Sequence, residues 1–100
     1  MSSEWHQQAE IELAHAHSAR MEGKEGRARV CARRAAGITA REFLNRCGVR
    51  ARSGSAHDAL QTLAEFPGLA PDLRQAAIHL TARVAEDFTL PTDMDLLLRA

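Results

Sequence analysis

The segment RARVCARRAAG, residues 27–37, has four arginines and four alanines in eleven positions. A guanidinium group carries a permanent charge and five N–H donors, which suits it to phosphate groups. Arginines recur every seven residues at 27, 34 and 41, and residues at this spacing lie along one face of a helix. The sequence therefore predicts an anion- or RNA-binding row on a helix, continued into the loop that follows. Its members are Arg27, Arg33, Arg34, Arg41, Arg50 and Arg52.

The same arginines have a structural alternative, because the charges are sorted along the chain. The formal net charge is zero, but residues 1–22 sum to −3, residues 23–54 to +7 and residues 55–100 to −4. A basic helix between acidic flanks can bind an external anion or pair with acids of neighbouring helices or of a second copy. No aromatic residue is interleaved with the row, which disfavours base stacking on it. The predicted internal partners are Glu10, Glu12, Glu86 and Asp87.

Histidine and cysteine spacing does not predict a metal site or a disulfide. His15 and His17 are two positions apart, about 200° around a helix, and so point to opposite sides. No Cys-x-x-Cys or His-x-x-x-His pair exists, and MEGKEGRA lacks the spacing of a phosphate-binding loop. Cys31 and Cys47, about 160° apart on one predicted helix, are expected to be reduced. We expect no metal and no cofactor.

The apolar pattern predicts helices throughout the chain. Hydrophobic residues make up 45% of the sequence and aromatic residues only 4%, so alanine and leucine supply the core. Helices are predicted over residues 3–22 and about 26–47, from Ser55 to the FPGLAP segment, from Pro71 to Pro91, and from Thr92 onward. Gly48 is expected to end the second helix. The predicted fold is all-α: one domain, residues 1–100, with an antiparallel up-and-down four-helix bundle and a short C-terminal helix.

Each predicted helix has an apolar face directed to the core. The face of the second helix is mostly alanine, which allows neighbouring helices to approach closely and predicts a central position for it. That face comprises Ala28, Ala32, Ala35, Ala36, Ala40, Phe43 and Cys47, joined by Val30, Ile38 and Leu44. The other predicted core positions are Trp5, Ala9, Leu13, Ala16, Leu60, Leu63, Ala64, Leu73, Ala77, Leu80, Val84 and Phe88.

Cellular location and partners are predicted from the ends of the chain. No run of eighteen apolar residues exists, which predicts no membrane span, and the polar N-terminus does not resemble a signal peptide. We therefore expect a cytoplasmic protein. Leu96, Leu97 and Leu98 form an apolar end that suits a partner surface.

The order of these elements resembles the HEPN superfamily of small prokaryotic helical proteins over residues 8–90. An alanine-rich basic helix is followed by SAHDALQTL and then by a long helix with AAIHLTARVAEDFTLP. The resemblance implies a homodimeric helical bundle that acts as a ribonuclease toxin, as a partner of a nucleotidyltransferase, or as a binder of RNA or nucleotides. The positions that carry it are Leu44, Gly48, His57, Leu60, Leu80, Arg83, Asp87 and Phe88.

The ribonuclease branch of that superfamily has an arginine followed, after four to six residues, by a histidine. The matching pairs here are Arg50 or Arg52 with His57, and Arg74 with His79. Arg74 and His79 lie about 140° apart around a regular helix, so they would converge only with help from a second subunit. His57 is expected at a helix start and His79 to be partly buried.

From these patterns we expect a non-catalytic module that binds RNA, a nucleotide or a partner protein. The resemblance suggests a place in a toxin–antitoxin or nucleotidyltransferase pair. Two alternatives remain open at this stage: a metal-independent ribonuclease, and a purely structural subunit of an assembly.

Overall fold

The computed structural model of the chain describes residues 4–49, 55–65 and 70–90, and this part is helical with no strand. The four helices are α1 (Glu4–Met21), α2 (Glu25–Arg46), α3 (Ala56–Glu65) and α4 (Pro71–Asp87). The prediction of an all-α fold is confirmed. The bounds of α1 and α2 differ from the predicted ones by one residue at each end. The helix predicted from Thr92 onward, with Leu96, Leu97 and Leu98, lies outside the described residues.

The end of α2 is fixed by Gly48, as the sequence predicts. Gly48 has φ +81°, a left-handed conformation that glycine adopts without steric cost. The N–H of Val49 donates to the Leu44 carbonyl at 2.8 Å, and the N–H of Gly48 donates to the Asn45 carbonyl at 3.0 Å. This pair of bonds satisfies carbonyls that the last helical turn leaves unpaired. α1 ends in the same way at Gly23, with φ +77°.

The starts of α3 and α4 also follow their sequence signals. The Ser55 side-chain oxygen accepts a hydrogen bond from the N–H of Asp58 at 3.3 Å, as an N-terminal cap does. Pro71 stands in the first turn of α4, where its missing N–H leaves no hydrogen bond unmade. Both features confirm the predicted helix starts.

α2 is the central helix, because it contacts each of the other three. Its buried residues are mostly small, which allows the neighbouring backbones to approach closely. The predicted central position of this helix is therefore confirmed. The buried residues are Ala28, Cys31, Ala32, Ala35, Ala36, Gly37, Thr39, Ala40, Phe43 and Leu44.

The core consists of two clusters that meet on α2. The first cluster joins α1, α2 and α4, and the second joins α2, α3 and α4. Alanine dominates the first cluster, whereas the second contains the largest fully buried side chains of the described residues, among them Phe43, Leu44 and Leu63. α2 thus packs by close backbone approach near its start and by larger side chains near its end.

Several predicted core positions are wrong or only partly right. Val30 is 52% exposed and Ala64 is exposed, whereas both are predicted to face inward. Val30 lies on a part of α2 that no other described helix covers, and Ala64 lies in the last turn of α3. Leu80 is only half-buried, and its neighbour Thr81 is buried instead. The Thr81 hydroxyl donates to the Ala77 carbonyl at 3.1 Å, so its burial leaves no donor unsatisfied.

Phe88 connects the ends of α1 and α4 with the start of α2. The Arg20 guanidinium carbon lies 4.2 Å from the centre of the Phe88 ring, and the His17 ring meets it edge-on with centroids 4.9 Å apart. Arg20 also forms an ion pair with Glu25, with Nη2 and Oε1 2.6 Å apart. Three helix ends therefore share one cluster of ring and charge contacts.

Gly37 gives a direct test of the closest contact between α2 and α3. A methyl group at position 37 would lie 2.5 Å from the Ala56 Cα atom and would overlap its Cβ atom. We expect Gly37→Ala to lower the free energy of unfolding by about 1–3 kcal/mol, because α3 must move away. Gly26→Ala is the matched control, since its methyl group meets open space, and it should stabilise by up to about 1 kcal/mol. Urea unfolding followed by circular dichroism measures both; equal stability of Gly37→Ala and wild type would contradict this contact.

The Arg20–Glu25 pair predicts a defined pH dependence. The hydrogen bond from Arg20 lowers the pKa of Glu25 below its ordinary value. Because the folded-state pKa is depressed, Glu25 stabilises the fold above its unfolded-state pKa, and this contribution is lost as the pH falls through the folded-state value. At pH 7 we expect Glu25→Gln to have a lower thermal midpoint than wild type. The difference should shrink and vanish in acid, as the pH falls through the lowered folded-state pKa of Glu25.

Glu22→Gln provides the control for this pH dependence. The Glu22 carboxylate lies 3.6 Å from the Lys24 ammonium, and both side chains are exposed. An exposed lysine pair of this kind contributes little, so the thermal midpoint should barely change at either pH. A Glu25→Gln difference that persists in acid would show that the lost charge is not its cause.

Candidate functional site

The N-terminal half of α2 presents an exposed basic surface, here called the basic ledge. Its arginines are exposed, and Val30 lies among them, 52% exposed. α3 starts at Ala56 beside Gly37, and none of the four described helices covers the outward face of α2 before Gly37. The residues of the basic ledge are Arg27, Arg29, Arg33 and Arg34.

Two arginines of the ledge have acidic neighbours. Arg34 Nη1 lies 3.8 Å from Glu12 Oε2 of α1, and Arg29 Nε lies 3.8 Å from Glu25 Oε1 in its own helix. Both arginine side chains stay more than half exposed, so these are weak, solvated pairs. In the part of the chain that the structure describes, the ledge arginines without an ion pair are Arg27 and Arg33.

Among the described residues, the predicted pairing of the row with those four acids is found at Arg34. Glu12 reaches Arg34, as described, but the other predicted acids have different neighbours or none. Glu10 Oε1 lies 3.6 Å from His6 Nδ1 on α1, and Asp87 Oδ2 lies 4.0 Å from Arg83 Nε on α4. Glu86, the fourth predicted acid, makes no ion pair with any described residue.

Arg41 belongs to a different surface from the ledge. It is half-buried and lines a groove between α1 and α2, whereas Arg27 is fully on the outside. The groove has two connected parts, of about 560 and about 360 Å³, that share Gln8, Ile38 and Arg41. The larger part is also lined by Ile11, Glu12, Arg34 and Ala56, and the smaller part by Trp5, Glu42 and Asn45. We call this surface the α1–α2 groove.

The α1–α2 groove could not be found from the sequence. The helical repeat places arginines 27, 34 and 41 in one row, but it does not show that α1 lies beside the last two. Arg34 borders both the ledge and the groove, because it stands at the edge between them. Arg50 and Arg52, predicted to extend the row, lie outside the described residues.

Of the predicted arginine–histidine pairs, Arg74 with His79 lies within the described residues, and the two side chains do not converge in one chain; the pairs of Arg50 and Arg52 with His57 stay predictions, because both arginines lie outside the described residues. Arg74 is half-buried and His79 is exposed, and both lie on the regular helix α4, about 140° apart around its axis. The prediction that His79 is partly buried is wrong, since this side chain is exposed. His79 lies two positions after the buried Ala77, which places it on the opposite side of α4, away from the core. His57 lies exposed in the first turn of α3, as expected at a helix start.

Metal-binding and membrane-spanning features are absent from the described residues. Over residues 4–49, 55–65 and 70–90 no three His, Cys, Asp or Glu side chains are grouped closely enough to hold a metal ion. No helix in the same ranges has the length and hydropathy needed to cross a membrane. Cys31 is buried and Cys47 half-buried, and both thiols are free, as expected. Burial raises the pKa of the Cys47 thiol, which disfavours its reactive thiolate form.

The exposed histidines allow a clean test of the ribonuclease alternative. Neither His57 nor His79 packs in the core, so alanine at either position should change the free energy of unfolding by less than about 0.5 kcal/mol. We expect wild type and both variants to leave a labelled RNA intact in a gel assay. Cleavage by wild type that is lost in a folded variant would instead establish a nuclease.

Comparison of the chain with protein-family models, with curated proteins and with solved structures finds no match. The resemblance to the HEPN superfamily therefore stays a prediction that depends on the residues quoted for it.

Proposed function

We propose that this chain is a non-catalytic helical module that binds the phosphate backbone of single-stranded RNA on the basic ledge. One observation carries the proposal: four arginines stand exposed on an uncovered half-helix, and two of them have no ion pair among the described residues. Internal pairing, the alternative use of these arginines, therefore accounts for only part of the ledge.

The spacing of the ledge suits a flexible polyanion. Arg27 and Arg34 are about 10 Å apart along the axis of α2, and Arg29 and Arg33 about 6 Å apart. Arg29 and Arg33 lie about 100–160° around the helix from Arg27 and Arg34, with Val30 between the two pairs. A single strand that crosses the exposed face over Val30 can bring successive phosphates to both pairs, and each contact releases counterions. Exposed arginines also lose little when they exchange water or a weak carboxylate partner for a phosphate.

The ledge offers charge but no stacking platform. Its only exposed apolar side chain is Val30, and no aromatic residue lies among its arginines. Binding on the ledge therefore reads the RNA backbone rather than the bases, so affinity depends on salt more than on sequence.

Several finer features belong to the same proposal. They are a HEPN-like homodimer with four antiparallel helices, a cytoplasmic location, and a role beside a toxin or a nucleotidyltransferase. The exposed Ile11 and Val30 provide apolar surface for a second copy or a partner protein. Light scattering after size exclusion tests the homodimer, which should have twice the chain mass of 11.0 kDa.

Fluorescence anisotropy of a labelled single-stranded RNA, titrated over a series of salt concentrations, tests the binding function. We expect log affinity to fall linearly with log salt concentration. Arg33→Gln should weaken binding and reduce the slope by about 0.7, the contribution of one phosphate contact on a single strand. Arg83→Gln is the matched control, because it removes the same charge from an exposed site on α4, and it should leave the slope unchanged.

Two results would contradict the proposal. Absence of binding at low salt would assign the arginines to the fold and favour the structural-subunit alternative. Equal effects of Arg33→Gln and Arg83→Gln would show that RNA responds to total charge and not to the ledge.

A further inference from the structure

We propose that the outward side of α1 docks a basic amphipathic helix of a partner protein. The docking surface, here called the α1 outer face, consists of Ile11, Ala14, Ser18 and Met21. It contains no residue of the basic ledge, so it does not depend on RNA binding there.

α1 is covered on one side by the rest of the molecule. Its buried residues are Ala9, Leu13, Ala16 and Ala19, and among the described helices the extensive contact of α1 is with α2. The residues of the α1 outer face are all exposed and lie on the side of the helix away from this contact. The described helices therefore leave this face without a partner.

The spacing of the α1 outer face matches that of a helix-packing seam. Its residues recur at intervals of three, four and three positions, which is the a and d spacing of a coiled coil. They fall within about 80° around the axis of α1. From Ile11 to Met21 the face is about 15 Å long, so a partner helix meets two successive a/d pairs.

Two large apolar side chains on this face are exposed to solvent. Ile11 is 56% and Met21 87% exposed, and among the described residues only Val30 is a further large hydrophobic residue of this kind. An apolar partner removes these side chains from water. The flexible Met21 side chain can adapt to the shape of that partner.

Acidic side chains flank the α1 outer face on both edges. Glu10 and Glu22 occupy the g and e positions, which carry the interhelical ion pairs of a coiled coil. The N–H of Glu22 donates to the Ser18 carbonyl at 3.1 Å, so this residue continues the last turn of α1. Each carboxylate has a cationic or titratable neighbour at 3.6 Å, His6 for Glu10 and Lys24 for Glu22. Both acidic side chains are 61% exposed, so these are weak, solvated pairs.

The basic residues of α1 do not neutralise these acids. Arg20 is the single arginine of α1, lysine is absent from the helix, and the Arg20 guanidinium is bound by Glu25 at 2.6 Å. The histidines next to the face, His15 and His17, have partners within the molecule. The α1 outer face therefore combines an apolar seam with a negative potential.

The negative potential selects the kind of partner. A second copy docked by the same face would bring carboxylates against carboxylates, and RNA or an anionic membrane would be repelled. A homodimer of this chain therefore has to use another face. A helix with leucine or isoleucine along one side and lysine or arginine beside them matches both the seam and its charge.

Anisotropy of a labelled synthetic peptide tests this proposal. The peptide is about three heptads long, with leucine at the a and d positions and lysine at e and g, and a second peptide has glutamate in place of each lysine. We expect saturable binding of the lysine peptide to the wild-type protein, weakened by salt. The glutamate peptide should bind at least roughly tenfold more weakly.

Variants on the face and a matched control locate the binding. Ile11→Gln and Met21→Gln each remove an exposed apolar side chain, so each should weaken the lysine peptide roughly fivefold to tenfold with helix content unchanged by circular dichroism. Val30→Gln is the matched control, since it removes a side chain of similar exposure from the basic ledge, and it should bind the peptide as wild type does. Glu10→Gln should weaken the lysine peptide roughly two- to fivefold, because one ion pair is lost.

Several results would overturn the proposal. They are absence of binding, equal affinities for the two peptides, wild-type affinity in Ile11→Gln and Met21→Gln, and an equal loss in these variants and in Val30→Gln. A wild-type dimer in light scattering that becomes monomeric in Met21→Gln would assign the face to a second copy and would also overturn it. The result is independent of the RNA titration, because Arg33→Gln should leave the peptide affinity unchanged.

Discussion

The close packing of α3 against α2 at Gly37 determines which surfaces of the molecule stay open. Because Gly37 has no side chain, Ala56 can rest almost on the α2 backbone, and α3 starts there. Arg27, Arg29 and Arg33, which precede this point, are exposed, whereas Arg34 and Arg41 border a groove. One missing methyl group thus divides a single row of arginines into two surfaces with different surroundings. The first surface is exposed to solvent, and the second is recessed between α1 and α2.

The electrostatics of the fold explain why the ledge is available for binding. Two of the acidic side chains form ion pairs with arginines close to them in sequence. Glu42 pairs with Arg46 at 3.3 Å, and Glu25 pairs with Arg20 at 2.6 Å. The basic segment therefore keeps an excess of positive charge that the described helices do not neutralise.

The sequence predicts the helices well and their relative placement poorly. Alanine periodicity identifies the central helix, and Gly48 and Pro71 mark helix ends, because these signals act within a few residues. The exposure of Val30 depends instead on how far α3 extends, and the presence of Trp5 and Arg41 in one groove depends on how α1 is rotated. Those quantities are set by packing between segments distant in sequence, and no local pattern encodes them. The prediction of which acids pair with the arginines is incomplete for the same reason. The acid that faces a given arginine is determined by the packing of the helices.

Phe88 has a consequence for how the chain leaves α4. This residue ends the helix with φ 59°, a backbone conformation that costs a side-chain-bearing residue about 1–2 kcal/mol. Two features of the Phe88 ring offset that cost. The ring is almost fully buried, and it contacts Arg20 and His17. The left-handed end of α4 is therefore held by side chains of the first helix. Removal of the Arg20 side chain would take away one of the two α1 partners that support this conformation.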